Sequence, residues 1–231
     1  MKIHGLQKLT LLDYPGHVAC TVFTGGCNLR CPFCHNASLV THIDEAAVMP
    51  EEEFFAFLKK RQGILDGVCI TGGEPLMNAD IEDFIKKIRA LGFAVKLDTN
   101  GTFFETLSRI VENKLVDYIA MDIKNTVEKY PVTTGVGAKI TENVKKSVEL
   151  LKNSDIPFEF RTTIVSEFHT ADDIEKITEW IGGENINYFL QNFVDSGDTI
   201  EKELHSCDKS TLSAMLETAK KNCPKAQLRG I

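Results

Sequence analysis

Nowhere in its 231 residues does the sequence carry 18 consecutive apolar positions, so it offers no candidate for a membrane-spanning helix. It has no low-complexity tract and no internal repeat, and nothing in its composition marks a linker between domains. Basic residues are the minority: 26 Lys and Arg against 33 Asp and Glu leave a formal net charge of −7, spread along the chain without a basic cluster. A protein that grips a phosphate backbone needs such a cluster, so nucleic acid is not an expected partner. The opening stretch MKIHGLQKLTLLDYPGH is interrupted by polar residues every few positions and lacks a small-residue cleavage site. It does not read as a secretory signal, and a cytoplasmic protein with no membrane partner is expected. What the chain does have is 43% hydrophobic residues, enough for a sizeable core, and seven cysteines. The number is odd and three of them crowd into positions 27–34, which in a reducing compartment points to metal ligation or redox chemistry rather than a disulfide framework.

Short β-rich apolar runs alternate with longer helical patterns. Strands are expected over 17–23, 67–71, 94–98, 118–122, 159–165 and 188–193, and helices over 50–61, 81–91, 103–112, 140–152, 171–181 and 209–222. The helix at 50–61 opens with Pro50 and three glutamates, which suit the positive end of the helix dipole. The next places Ile81, Phe84, Ile85 and Ile88 at helical spacing and stops at Gly92. Repeated β-then-α order implies a parallel sheet with helical crossovers. Six units are two short of a closed eight-fold barrel. The expected fold class is therefore α/β, an open partial (βα)6 TIM-type barrel with residues 1–231 as a single domain. A doubly wound open sheet is the alternative, which pattern alone does not separate from it.

In either architecture ligands sit at the carboxyl ends of the strands. Four polar clusters fall there: Thr24-Gly25-Gly26-Cys27, Thr71-Gly72-Gly73-Glu74-Pro75, Asp98-Thr99-Asn100-Gly101 and Asp122-Ile123-Lys124-Asn125. Their convergence on one rim defines a site. Asp98–Gly101 also reads as a strand-ending turn, because Asn-Gly is a strong turn dipeptide. Asp122 and Lys124 also read as a solvated ion pair, although strand alternation points both the same way, as a shared ligand would require.

Cys27, Cys31 and Cys34 are spaced C-x3-C-x2-C. Thiolates are soft ligands that suit zinc or iron–sulfur clusters. A structural zinc wants four ligands in closed tetrahedral geometry, and the nearest fourth candidate, His35, adjoins Cys34 and is poorly placed to share the ion. Three thiolates on one loop fit a [4Fe–4S] cluster with one iron left open to a small chelating ligand. A zinc-stabilised binding module without catalysis is the alternative of another class. Cys20, Cys69, Cys207 and Cys223 are isolated, and the first two lie in apolar strand patterns that read as core. His4, His17, His42, His169 and His205 have no spacing partner and read as ordinary surface or core residues.

With Phe33 before its third cysteine, the loop resembles the signature of the radical S-adenosylmethionine (SAM) superfamily, and Gly72-Gly73-Glu74 resembles that superfamily's GGE motif. The resemblance runs on through LDTNG (97–101), AMDIKN (120–125), EFRTTIV (159–165) and YFLQNF (188–193). It is strongest to the glycyl-radical-enzyme activases, first those of anaerobic ribonucleotide reductase and then those of pyruvate formate-lyase. It implies a radical SAM core domain with a cluster loop at 24–36 and a C-terminal helix and tail at about 207–231. Cys27, Cys31 and Cys34 would ligate one [4Fe–4S] cluster, since the stretch after Cys34 is too short for a second cysteine-rich insert. SAM would be held by Gly72, Gly73 and Glu74 at its amino group, by Phe33 and His35 at its adenine, and by Lys124, with Asn125 nearby, at its carboxylate. Gln191 or Asn192 would be a further contact. Asp98, Thr99, Asp122 and the carbonyl of Ala120 match a monovalent-cation site beside that carboxylate. Asp13-Tyr14-Pro15-Gly16 resembles a D-G-P-G segment that lies near the substrate loop, so Asp13, Pro15 and Gly16 would face the client, with Tyr14 departing from the pattern. The implied activity is reductive cleavage of SAM and removal of hydrogen from a backbone glycine of a glycyl radical enzyme, with flavodoxin or ferredoxin as electron donor. A radical SAM enzyme acting on a small molecule, such as a deazapurine precursor, is the alternative within the superfamily.

Overall fold

A computed structural model of the chain describes residues 1–43, 48–137 and 139–230. Among these residues eight strands lie side by side in sequence order: β1 Ile3–Thr10, β2 Ala19–Thr24, β3 Gly67–Gly72, β4 Ala94–Thr99, β5 Tyr118–Asp122, β6 Phe158–Ile164, β7 Tyr188–Asn192 and β8 Gln227–Arg229. β1 is antiparallel to β2, and every later pair is parallel. The helices are α1 Ala37–Thr41, α2 Glu51–Lys59, α3 Ile81–Ala90, α4 Phe104–Glu112, α5 Tyr130–Thr134, α6 Lys139–Lys152, α7 Ala171–Ile181 and α8 Lys209–Lys220. From β2 to β7 each strand is followed by helix, which gives six βα units in the manner of a partial TIM-type barrel. Among the described residues no helix is long and apolar enough to cross a membrane.

The two faces of the sheet differ in chemistry. Cys20 and Val22 on β2, Val68 and Ile70 on β3, Val95 and Leu97 on β4, and Ile119 and Met121 on β5 are fully buried in one cluster with helix residues such as Phe84, Ile88, Leu107 and Val148. The alternate residues point the other way. They are Thr21, Cys69, Lys96, Asp98, Asp122, Glu159, Arg161 and Thr163, of which Cys69, Lys96, Asp98, Asp122 and Arg161 bond with one another rather than pack as hydrocarbon. Helix-covered apolar residues thus hold the fold, and a polar inner wall is left for chemistry.

The six expected strands are all present, each within about two residues of its expected bounds. Two strands and two helices escaped the sequence pattern. β1 buries only Ile3 and Thr10, so its alternation is too weak to read. β8 has three residues, and α1 and α5 have five each, below the length at which periodicity is legible.

The Asp13–Gly16 segment joins β1 to β2, at the opposite end of the sheet from the cysteine loop. Tyr14 is 2% exposed, stacks on His17 with centroids 4.0 Å apart, and abuts Tyr118 and Gly67, the first residues of β5 and β3. A side chain on Gly67 would come within 2.9 Å of the Tyr14 ring. Tyr14 therefore closes the amino-terminal end of the inner wall, which accounts for the departure from glycine at this position. Replacing it with alanine should cost about 3–5 kcal/mol, the usual loss for a buried aromatic. Urea unfolding of wild type and Tyr14→Ala, monitored by circular dichroism, measures the difference.

Candidate active site

The site is built on a contact between two loops that only glycine permits. The end of β3 lies against the loop leaving β2, with Gly73 N–H donating to the Thr24 carbonyl (2.8 Å) and Glu74 N–H to the Gly26 carbonyl (2.7 Å). A Cβ on Gly73 would stand 1.9 Å from that Gly26 oxygen, and one on Gly72, whose φ is +114°, would stand 2.4 Å from the Thr24 backbone. No side chain fits between the two chains at either position. On its other side the loop is held by Gly26 N–H to the Leu39 carbonyl (2.8 Å) and Arg30 N–H to the Thr134 carbonyl (2.8 Å).

This loop carries the three thiols. Cys27, Cys31 and Cys34 are free and line one cleft. Burial pushes the Cys27 thiol up to about 11 and Cys31 to about 12, and Cys34 is raised by the same cause. The Lys124 charge acts on all three in the opposite direction. Among the described residues no set of three His, Cys, Asp or Glu side chains is gathered closely enough to hold a single ion. Three free thiols from one loop, lining one cleft, are a donor set that a cluster taking one thiolate per iron would suit.

Around the thiols a hydrogen-bonded shell fixes the loop. Asn100 Nδ2 donates to Cys27 Sγ (3.7 Å) and to Asn28 Oδ1 (3.2 Å), while its own Oδ1 accepts from the Thr102 amide and hydroxyl. Asn28 donates to Thr102 Oγ1 (2.9 Å), and Asn36 Nδ2 donates to the Gly72 carbonyl (3.0 Å). His35 stacks on Phe193 (5.3 Å, 13°) and bonds the Val194 carbonyl through Nε2 (3.0 Å). Burial lowers its pKa, which favours the neutral ring.

Most residues singled out in the sequence meet in this cleft. Phe33, His35, Gly72, Gly73, Asp98, Thr99, Asp122, Lys124 and Gln191 line it beside the cysteines. Three do not. Glu74 is 1% exposed and accepts from Leu76 N–H (3.1 Å), Thr99 Oγ1 (2.8 Å) and Asn100 N–H (2.7 Å). Burial pushes its carboxyl up to about 7 against the pull of those bonds. Glu74 is a strut between the ends of β3 and β4 rather than a wall of the cleft. Asn125 is fully buried, donating to Thr133 Oγ1 (2.9 Å) and the Phe168 carbonyl (3.1 Å). Asn192 turns away to exchange hydrogen bonds with the Cys207 backbone, which leaves Gln191 as the β7 residue in the cleft. Asp13, Pro15 and Gly16 are not brought here at all.

Sequence reasoning assigned no role to Arg161, Thr163 or Asn100, all of which line the cleft. The signal was present in β6, where Glu159, Arg161 and Thr163 put polar groups on one face of a central strand.

Arg161 is the centre of a charged row. Its Nη1 reaches Asp98 Oδ2 (3.2 Å) and its Nε reaches Asp122 Oδ1 (2.9 Å). Asp98 Oδ1 is bonded by Lys96 Nζ, and Asp122 Oδ2 by Lys124 Nζ (3.0 Å). Burial opposes ionisation of both carboxyls, but Arg161 with Lys96 or Lys124 outweighs it and holds them below the ordinary carboxylate range. Every oxygen of Asp98 and Asp122, where a monovalent-cation site is expected, thus has a cationic partner from the chain itself. The Thr99 hydroxyl is engaged elsewhere, donating to Glu74 and accepting from Gly101 N–H.

Replacing Asp122 with asparagine would leave Arg161 and Lys124 undercompensated. The cost should fall at the low end of the about 3–5 kcal/mol typical of broken buried pairs, because the Asp122 side chain keeps 28% of its exposure. A carboxyl with a depressed folded pKa stabilises above its unfolded value, so the gap between wild type and Asp122→Asn should narrow as pH falls below about 4. Urea titrations at pH 7 and in that acid range read both effects.

Residues 21–181 match the radical SAM superfamily. A Methanocaldococcus jannaschii protein, provisionally assigned as a glycyl-radical enzyme activating enzyme, is 31% identical over 235 residues, spanning 99% of this chain and 96% of its own. The pyruvate formate-lyase-activating enzyme of Listeria monocytogenes is 27% identical over 194 residues, 78% of this chain and 75% of its own. Among solved structures, Streptococcus suis SuiB bound to S-adenosylmethionine superposes with a TM-score of 0.66 at 17% identity over 90% of this chain. Native anSMEcpe with bound AdoMet gives 0.64 at 19% identity over 86%. The chain spans 48% and 57% of those two structures, so they speak for the fold alone. From the match over 21–181 and the near full-length likeness to the Methanocaldococcus protein, it follows that this chain belongs to the radical SAM superfamily.

Proposed function

We propose that the chain, acting as one radical SAM core domain, is an activase that cleaves SAM reductively and removes hydrogen from a backbone glycine of a partner enzyme. The observation that carries this reading is the meeting of three unpaired thiols, the Gly72–Gly73 backbone and the Lys124 ammonium in one cleft. The partner class is supported by the names of the Methanocaldococcus and Listeria relatives.

Cys27, Cys31 and Cys34 would hold a [4Fe–4S] cluster. When bound and reduced by flavodoxin or ferredoxin, it supplies the electron that splits SAM into methionine and a 5′-deoxyadenosyl radical, which takes the glycine hydrogen. The protein's own part is positional and electrostatic. Backbone carbonyl groups at Gly72 and Gly73, held at the rim by the loop contact that only glycine permits, would receive the SAM amino group. Lys124 and Arg161 present positive charge to its carboxylate. The neutral His35 ring, held flat on Phe193, and the neighbouring Phe33 offer the adenine an apolar seat. Leu29, Phe33, Val165 and Phe193 form a small apolar cluster with Cys31 that keeps water from the thiols. Asp13, Pro15 and Gly16 lie at the other end of the sheet, where Asp13 accepts from Thr21, so any contact they make would be with the client rather than with SAM.

Two experiments test the proposal. Anaerobically purified protein should be brown with about four irons per chain. Alanine at any one of Cys27, Cys31 or Cys34 should abolish SAM cleavage, while Cys207→Ala should leave it intact. Equal loss from Cys207→Ala would refute the ligand assignment, and a colourless protein with one zinc would refute the enzyme. For the client, reduced protein and SAM should raise a glycyl doublet in the electron paramagnetic resonance spectrum of a co-encoded glycyl radical enzyme. Silence with every such partner would favour the small-molecule reading.

A further inference from the structure

The charged row on the inner wall answers a question that the family resemblance opens. If SAM is held as proposed above, on which this inference rests, its carboxylate needs a positive seat, and the resemblance implies an alkali-metal ion on Asp98, Thr99 and Asp122. The residues of this chain do not suit such an ion. We propose instead that the Lys96 ammonium takes the place of that ion on Asp98 from within the fold, leaving Lys124 and Arg161 to face the SAM carboxylate, and that SAM binding in this protein is independent of monovalent cations.

Lys96 is 1% exposed and sits two residues before Asp98 on the same face of β4. Its Nζ bonds Asp98 Oδ1 and lies 3.8 Å from Cys69 Sγ. The remaining oxygens of the two carboxylates are matched by Arg161 and Lys124. The other two acids described along this inner wall, Glu159 and Asp13, are engaged elsewhere. Glu159 is engaged by Arg229 through both oxygens (2.8 and 3.1 Å) and accepts from the Tyr118 hydroxyl (2.9 Å), and Asp13 accepts from Thr21.

The formal charges decide between the occupants. Lys96, Arg161 and Lys124 against Asp98 and Asp122 leave the row one charge positive. A metal cation would double that excess and would compete for oxygens already in use. An incoming carboxylate would cancel it. In a partly desolvated wall the first is repelled and the second attracted. The tethered ammonium also needs no binding equilibrium of its own, because the strand delivers it to Asp98.

The test is SAM binding to the anaerobically reconstituted holoenzyme, measured by isothermal titration in potassium, sodium and choline buffers of equal ionic strength. The wild type should bind with the same Kd in all three to within about twofold, and a weakening of about tenfold or more in choline would overturn the proposal. Lys96→Met should bind about tenfold more weakly in choline and recover in part when potassium or sodium is added. Wild-type affinity without any cation response in that variant would equally overturn it. Crystals of the wild type soaked in rubidium chloride should show no anomalous density between Asp98 and Asp122, and density there would refute the inference whether or not the variant folds. Failure to bind SAM in any buffer would overturn the proposed activity instead, and the rubidium soak would still decide the occupant of the carboxylates.

Discussion

Everything at the mouth of this barrel depends on two backbones touching. The cysteine loop and the end of β3 approach so closely that Gly72 and Gly73 have no space for even a methyl group, and amide-to-carbonyl bonds close the gap. From that seam the order spreads outward. Glu74, the next residue, turns inward and collects donors from its own turn and from the end of β4. Asn100, held by Glu74, then reaches back to Cys27 and Asn28. A rigid frame of main-chain and buried polar contacts thus presents thiols that are themselves left without ionic partners, which is the support a reactive constellation needs.

The second organising element is the row of alternating charge below the seam. Five side chains from three adjacent strands and the loop after β5 pair with one another, with Arg161 touching both acids. Such pairs contribute less to net stability than their attraction suggests, because each ion was removed from water to form them. Their effect is on geometry. Lys124 is also fixed from behind, since His169 donates from Nε2 to its carbonyl (2.9 Å) while Nδ1 accepts from the Val165 amide (3.2 Å). Burial lowers the pKa of that imidazole and keeps it neutral, as this bonding pattern requires.

Much of this was readable from residue order. The six βα units, the C-x3-C-x2-C loop and the four polar rim clusters all follow from periodicity and spacing, and the cleft gathers residues from each cluster. What the pattern concealed has physical reasons. Glu74 and Asn125 lie in rim motifs yet point into the protein, because a loop, unlike a strand, has no fixed alternation to say which way a side chain faces. Arg161 was passed over because it carries no motif of its own, although polar alternation in a buried strand marked it. The pairing of the two carboxylates was hidden for a related reason. Motif letters record Asp98 and Asp122 but not Lys96, whose ammonium reaches Asp98 only once β4 is folded. Tyr14 looked like an anomaly in a glycine-rich segment, whereas in the fold it is a stopper against Gly67.

The split between an apolar outer face and a polar inner wall has an evolutionary corollary. Because hydrocarbon packed under the helices carries the folding free energy, natural variation can retool the wall for a new client without rebuilding the scaffold. The interlocked charges restrict how that drift can proceed. A lone change strands a neighbour's charge, so lineages are expected to move by compensated double steps, exchanging an acid and its base together.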